Sequence, residues 1–339
     1  MKTLYDWLLE QPQDVFPGSG ARDHPGRLRN VAEYLERNVH PIVEKGALLH
    51  SGDYLNGHGV DHVRAVIERA SQLLAPPDSK LNPYEAYLLL MATHFHDVAN
   101  VLGRSGHEAR IPQIISLLAP FFENDPVEIR TVVLIASAHG GNIAGDRDTI
   151  SALPSRQPVN GVEIRIQLLA ALLRFADELA DDSTRASRFE ESLNLVPTPS
   201  EVFHQYSLAL HSVIVDADRH AVNLHFDIHK EAAMKKLGKK SESVYLLDEI
   251  YTRTVKMHVE RLYCMRYMAA VTRIDAINAT VKVFLPNMIF PVKVIQYTLE
   301  ERGYPDLKAK DIRKLCPGYP DVKCTGEKLE KELLRLRTP

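Results

Sequence analysis

The chain has 339 residues, 45% of them hydrophobic and 25% charged, with a formal net charge of −3 at pH 7. That length can bury a large core and favours one big domain with a smaller partner, while the near-neutral charge argues against an overall electrostatic footprint for nucleic acid. Three cysteines, Cys264, Cys316 and Cys324, are too few for a disulfide framework and fit a reducing, cytoplasmic setting, and no run of eighteen apolar residues marks a membrane span.

Residues 1–10 mix apolar residues with Asp6 and Glu10 and read as a short helix rather than a signal peptide. A stretch rich in Gly and Pro from Pro17 to Pro25 interrupts the pattern, and a helix resumes over Arg27–Asn38. From Gly57 to Phe189 the text is helical: one helix from Asp61, one over Pro83–Ala99, one from His107, one over Pro126–Ala138 and one over Gly161–Ala180. Beyond Pro197 the period changes to two. Tyr206, Leu208 and Leu210 alternate with polar or small residues, as do Val222, Leu224, Phe226 and Ile228, so a hairpin is predicted with its turn at Asp216–Arg219 and one solvated face carrying His204, His211, His225 and His229. Lys235–Lys240 reads as a mobile charged loop, helical text returns over Ser243–Arg273, and a charged helix closes the chain over Thr325–Arg337. The predicted class is mainly α: a helical domain over 1–195 and a smaller α+β region with a β-hairpin over 196–339.

Within the helical half, six side chains share one chemistry. His62, His96, Asp97, His107, His139 and Asp177 are hard or borderline metal ligands, each at a helix end or one turn inside. With 15 histidines and 21 aspartates in the chain, a His-Asp pair arises about once by chance. Its setting carries the weight. Ala86–Ala99 is apolar nearly all round, as a helix inside a domain is, and ionisable groups at its end would cost several kcal/mol each if buried without a partner. A cation that takes them as ligands removes that cost. His94, in the same helix, reads as a satisfied helix residue.

In order and context, His62-Val63-Arg64-Ala65-Val66, His96-Asp97-Val98, His107, His139 and Ala176-Asp177-Glu178 resemble the HD superfamily of metal-dependent phosphohydrolases, over about residues 57–188. The resemblance implies a helical bundle in which His62, His96, Asp97 and Asp177 hold one divalent metal, His107 and His139 add a second, and Asp97 bridges the two. The ions would be Mn, Fe, Co, Ni, Zn or Mg, lowering the pKa of water from 15.7 to about 7 and drawing charge off phosphoryl oxygens. In members with one metal, a histidine near His107 serves as an acid oriented by a carboxylate, a role open to His107-Glu108, so Asp97, His107 and Glu108 are the catalytic candidates. His58, on one helix face with His62, and Arg104, Arg110 and Arg185, which offer bidentate contacts to phosphate, are the substrate-binding candidates. More loosely, His107-Glu108 and Phe175–Leu179 resemble HD domains that accompany chaperone-type ATPase modules.

The expected activity is hydrolysis of a nucleotide or small phosphate ester. Two other readings stand beside it: a single-strand nuclease using the lysines of 235–240, and a regulatory module that keeps the metal site without turnover. Residues 196–339 could serve a homo-oligomer or a protein partner.

Overall fold

The computed structural model describes residues 2–18, 22–43, 59–76, 80–103, 106–143, 145–181, 196–301 and 311–336, and His58, Arg104 and Arg185 fall outside that set. The chain divides into two compact units. The first comprises most of residues 1–180, joined by 263–273.

Its helices are α1 (Leu4–Leu9), α2 (His24–Asn38), α3 (Val60–Leu73), α4 (Pro83–Phe95), α5 (Ile111–Leu117), α6 (Pro126–Ser137) and α7 (Ile166–Leu179). α4 is the centre. Asn82 and Glu85 cap each other's backbone N–H groups and Pro83 occupies the first turn, which fixes where the helix starts. From there every residue, Tyr84 to Phe95, is buried, so α4 has no solvent face and α2, α6 and α7 pack around it. α6 begins on a similar device, with the Asp125 side chain accepting from the N–H groups of Val127 and Glu128.

One break in this half departs from the helical expectation. Residues 157–164 form a hairpin, β1 (Gln157–Val159) and β2 (Val162–Ile164), where the sequence predicts helix from Gly161. Asn160 and Gly161 both adopt positive φ (48° and 83°), the conformation that two-residue turns between twisted strands demand. α7 therefore starts at Ile166.

The second unit holds a mixed sheet ordered β3-β4-β7-β8. α8 (Glu201–Ala209) leads into β3 (Leu210–Asp216), which turns through 217–220 into antiparallel β4 (Ala221–His229); α9 (Lys230–Ala233), β5 (Lys236–Lys239), β6 (Glu242–Tyr245) and the long α10 (Leu246–Met268) come next. β7 (Ala276–Phe284) lies parallel to β4 because α10 carries the chain back, and β8 (Lys293–Glu300) returns antiparallel beside it; α11 (Ile312–Leu315) and α12 (Gly326–Arg335) close the described chain. The class is thus mainly helical with a mixed sheet in the second half. The hairpin turn falls where Asp216–Arg219 predicts it.

Two expectations fail here, and two strands arise where the sequence predicts no element. Tyr206 and its neighbours are helical, with Val202, Tyr206 and Ala209 buried at spacings of four and three, so His204 is a buried helix residue rather than one on a strand face. Lys236–Lys239 is strand, not a charged loop: Gly238 lets the backbone close on Thr198, where a Cβ would stand 1.8 Å from the Thr198 carbonyl oxygen, and Lys239 binds Glu249 at 2.6 Å. β7 and β8 look like no more than short apolar runs in the sequence, yet Ile277, Ala279, Val281 and Val283 alternate inward along a full strand. All three cysteines are free and buried, and among the described residues no helix is long and apolar enough to cross a membrane.

Candidate metal centre

The ends of four helices and one short turn deliver six donors to one place. His62 stands in the first turn of α3, His96 caps α4, Asp97 comes directly after it, His139 lies just past α6 and Asp177 sits in the last turn of α7. His107 opens a short 3-10 turn that begins ten residues after Asp97. Within that interval Val98–Leu102 makes a 3-10 turn, and Arg110 donates to the carbonyls of Leu102 (2.6 Å) and Gly103. Sequence proximity makes Arg110 a candidate substrate clamp. In the structure its guanidinium holds the Leu102 and Gly103 carbonyls.

The donor atoms fall into two groups, His62, His96 and Asp177 in one and Asp97, His107 and His139 in the other, each with all its atoms within 4.8 Å of one another. In the first, His62 Nε2 lies 3.0 Å from Asp177 Oδ1 and 3.3 Å from His96 Nε2. In the second, His107 Nε2 lies 3.0 Å from Asp97 Oδ1 and 3.3 Å from His139 Nε2. Asp97 faces both. Its other oxygen, Oδ2, stands 3.4 Å from His96 Nε2 and 3.6 Å from His62 Nε2.

These residues fit divalent cations, and the far sides of the rings show it. His96 Nδ1 donates to the Thr93 carbonyl at 2.7 Å and His139 Nδ1 to the Ala136 carbonyl at 2.6 Å. A proton held on Nδ1 leaves the Nε2 lone pair pointing into the cluster, the tautomer a metal ligand needs. His107 Nδ1 faces Glu108 Oε2 at 3.4 Å. The Glu108 carboxylate in turn rests on the Gly140–Gly141 backbone, where a Cβ on Gly140 would stand 3.0 Å from Oε1 and one on Gly141 3.3 Å from Cδ. Gly141 also has φ of 72°. Asn100, which carries no signal in the sequence, donates to Asp97 Oδ1 at 2.9 Å, and Thr149 hands a further link from Arg174 of α7 (2.9 Å) to the Ala138 carbonyl (2.8 Å) beside His139.

Charge follows from this packing. Burial opposes a proton on His96, but Asp97 and Asp177 outweigh it and push its pKa up to about 9. Burial and the neighbouring His96 push His139 down to about 4. Asp177 is only partly buried, and although desolvation opposes its charge, its bond with His62 and the nearby imidazoles hold it far below the usual carboxylate range. Two carboxylates and four ring lone pairs with so little solvent make a strong site for positive charge.

Two more histidines flank the centre. His40 and His94 are buried, and neither ring nitrogen of either one has a hydrogen-bond partner, so His94 is not the satisfied residue expected. Burial and neighbouring imidazoles push His94 down to about 3 and His40 to about 4. An unfolded chain takes up these protons near pH 6.5, before the folded one can, so this contribution to stability is intact above 6.5 and drains away as pH falls toward 4. The expected loss between pH 6.5 and 4.5 is a few kcal/mol. Denaturant unfolding at both values checks it, and His40→Leu should flatten the slope; an unchanged slope in that variant would refute the assignment.

A family model, HD-CE, matches residues 31–256, about two thirds of the chain. Searches of curated proteins and of solved structures found no significant match. Since the matched stretch contains every helix that brings a donor to the two clusters, the chain belongs to the HD-CE family, a group of HD-superfamily domains.

Proposed function

We propose that this chain is a metal-dependent phosphohydrolase or phosphodiesterase acting on a nucleotide or small phosphate ester. One observation carries the reading: two buried three-donor clusters share the carboxylate of Asp97. Cations held there would supply Lewis-acid polarisation of a phosphoryl group and water acidic enough to ionise near neutral pH. The protein's own part is positional. Asp97 sets the spacing of the clusters, the carbonyls of Thr93 and Ala136 keep His96 and His139 in one tautomer, and Glu108 does so for His107. Because His107 Nε2 faces Asp97 and His139 at these distances, it serves the second cluster as a donor, with Glu108 behind it as a positioning residue. The nuclease reading stays second: Lys239 is paired with Glu249 in a strand, which leaves the exposed Lys235, Lys236 and Lys240 as the basic side chains of this stretch, a short footprint for a nucleic-acid backbone.

The test is a panel of nucleotides and a generic phosphodiester, run with each of Mn, Co, Ni, Zn, Fe and Mg added and again with chelator. Turnover that needs metal is expected. Metal-loaded protein that stays inert across the panel would favour the regulatory module instead. Glu108→Gln is expected to weaken metal retention by the second cluster about 10- to 100-fold, read by competition with a chelator, while His62, His96 and Asp177 keep their ion. Equal retention in variant and parent would count against Glu108 as the group that orients His107.

A further inference from the structure

The sheet of the second unit ends in a projection and a hollow side by side. β4 and β7 run parallel with His229 paired to Phe284, so the chain leaves both strands at the same end of the sheet. After β7 it turns through residues 286–291 and shows Met288, Ile289 and Phe290 to solvent, with Ile289 87% and Phe290 77% exposed. Nowhere else among the described residues are two exposed large apolar side chains adjacent in sequence. Three in a row at a hairpin tip mark a surface that something covers. After β4, the end of α8, α9 and the start of α10 surround a cavity of about 600 Å³ whose lining is half apolar, with Leu208, Ile228 and Leu246, and half polar, with Asp227, Glu231 and Lys235.

We propose that residues 286–291 form a dimerisation finger that seats Ile289 and Phe290 in this cavity of a second copy of the chain. Because tip and hollow lie at the same end of the sheet, a two-fold axis there would bring each finger to the other copy's cavity, so that both contacts form together and the assembly closes. Symmetry also supplies the area. One three-residue tip is too small for a specific interface, but two tips and two cavities reach the order of 1,000 Å² at which such interfaces begin. A lipid surface suits the tip less well, because Lys293 at its base is already bound to Glu332 at 2.8 Å and has that charge satisfied.

Sedimentation velocity of the full chain from low to high micromolar decides it. The parent protein should dimerise, and Ile289→Asp with Phe290→Asp should weaken the dimer on the order of a hundredfold, as loss of an apolar anchor does. Both positions are exposed, so circular dichroism should be unchanged. Ala232→Trp, which fills the cavity, should weaken the dimer equally. Mixing finger and cavity variants should then recover a heterodimer with one intact contact, tighter than either homodimer. A parent that stays monomeric, or a dimer indifferent to both variants, overturns the proposal. So does flotation of a monomeric parent with phosphatidylcholine–phosphatidylserine vesicles that is lost in the finger variant, which would make lipid the occupant.

Discussion

Asp97→Asn should leave the chain without a complete metal centre, and with turnover reduced by roughly a thousandfold or more, the scale of losing activated water and the electrostatic stabilisation that goes with it. The expectation rests on where the two carboxylate oxygens go. Oδ1 stands 3.0 Å from His107 Nε2 and 3.8 Å from His139 Nε2, while Oδ2 stands 3.4 Å and 3.6 Å from His96 and His62. No other described side chain reaches ring nitrogens of both clusters at these distances. An amide keeps the shape but brings one neutral oxygen and one N–H, which points a donor at a ring lone pair or a cation. Both clusters should therefore suffer. His139→Ala removes a donor from the second cluster alone, so it should cost one ion per chain and leave the other. Elemental analysis of the purified variants separates the two patterns: Asp97→Asn protein that retains two ions per chain would break the bridging assignment.

The order His62, His96-Asp97, His107, His139, Asp177 is readable because ligand chemistry restricts residue type, and six ionisable donors at the ends of apolar helices are costly to bury unless a cation joins them. Their surroundings are not readable in the same way. Asn100 and the Gly140–Gly141 cradle act through contacts with Asp97 and Glu108 that only the folded loops create. His40 sits more than twenty residues before the first donor, and no spacing rule connects it to the site. Arg110 is legible only in part: proximity in sequence makes it a candidate phosphate clamp, and the fold adds a role that no spacing rule gives, its guanidinium holding the carbonyls of Leu102 and Gly103.

The fold divides similarly between local and distant causes. Helices with caps, such as Asn82–Glu85, can be placed from pattern alone. The Asn160-Gly161 turn carries an equally plain signal, and the helical style on either side obscures it. Around Tyr206, a period of two competes with buried spacings of four and three, and the helix wins because Val202, Tyr206 and Ala209 share one face. β7 joins β4 across the whole of α10, a pairing that no window of local sequence contains.

The largest expected loss of stability, as distinct from activity, lies away from the donors, at Glu128 of α6. This carboxylate is fully buried and accepts from Tyr84 Oη and Tyr87 Oη, both at 2.9 Å, and from Arg27 Nη1 at 2.8 Å, with His24 Nε2 at 3.6 Å. Burial alone would raise its pKa, yet His24, Arg27 and the two tyrosines hold it below the usual range, so it is ionised in the core. It therefore joins α2, α4 and α6, the last two of which lead into His96 and His139. Glu128→Ala leaves the Arg27 guanidinium with the half-exposed Glu123 and strips a bond from each tyrosine. Breaking a buried pair from one side costs about 3–5 kcal/mol, which for a unit of this size lowers the melting temperature by about 10 °C. Glu128→Gln keeps the shape and one accepting oxygen, while its amide N–H replaces the acceptor of the other tyrosine, so it should fall between. Urea unfolding at pH 7 measures the loss, and elemental analysis of the folded fraction should still show the parent's metal content, because none of the donors bonds to Glu128. A variant within about 1 kcal/mol of the parent would mean that the three helices hold without this charge, and that hydrophobic packing around α4 alone positions His96 and His139.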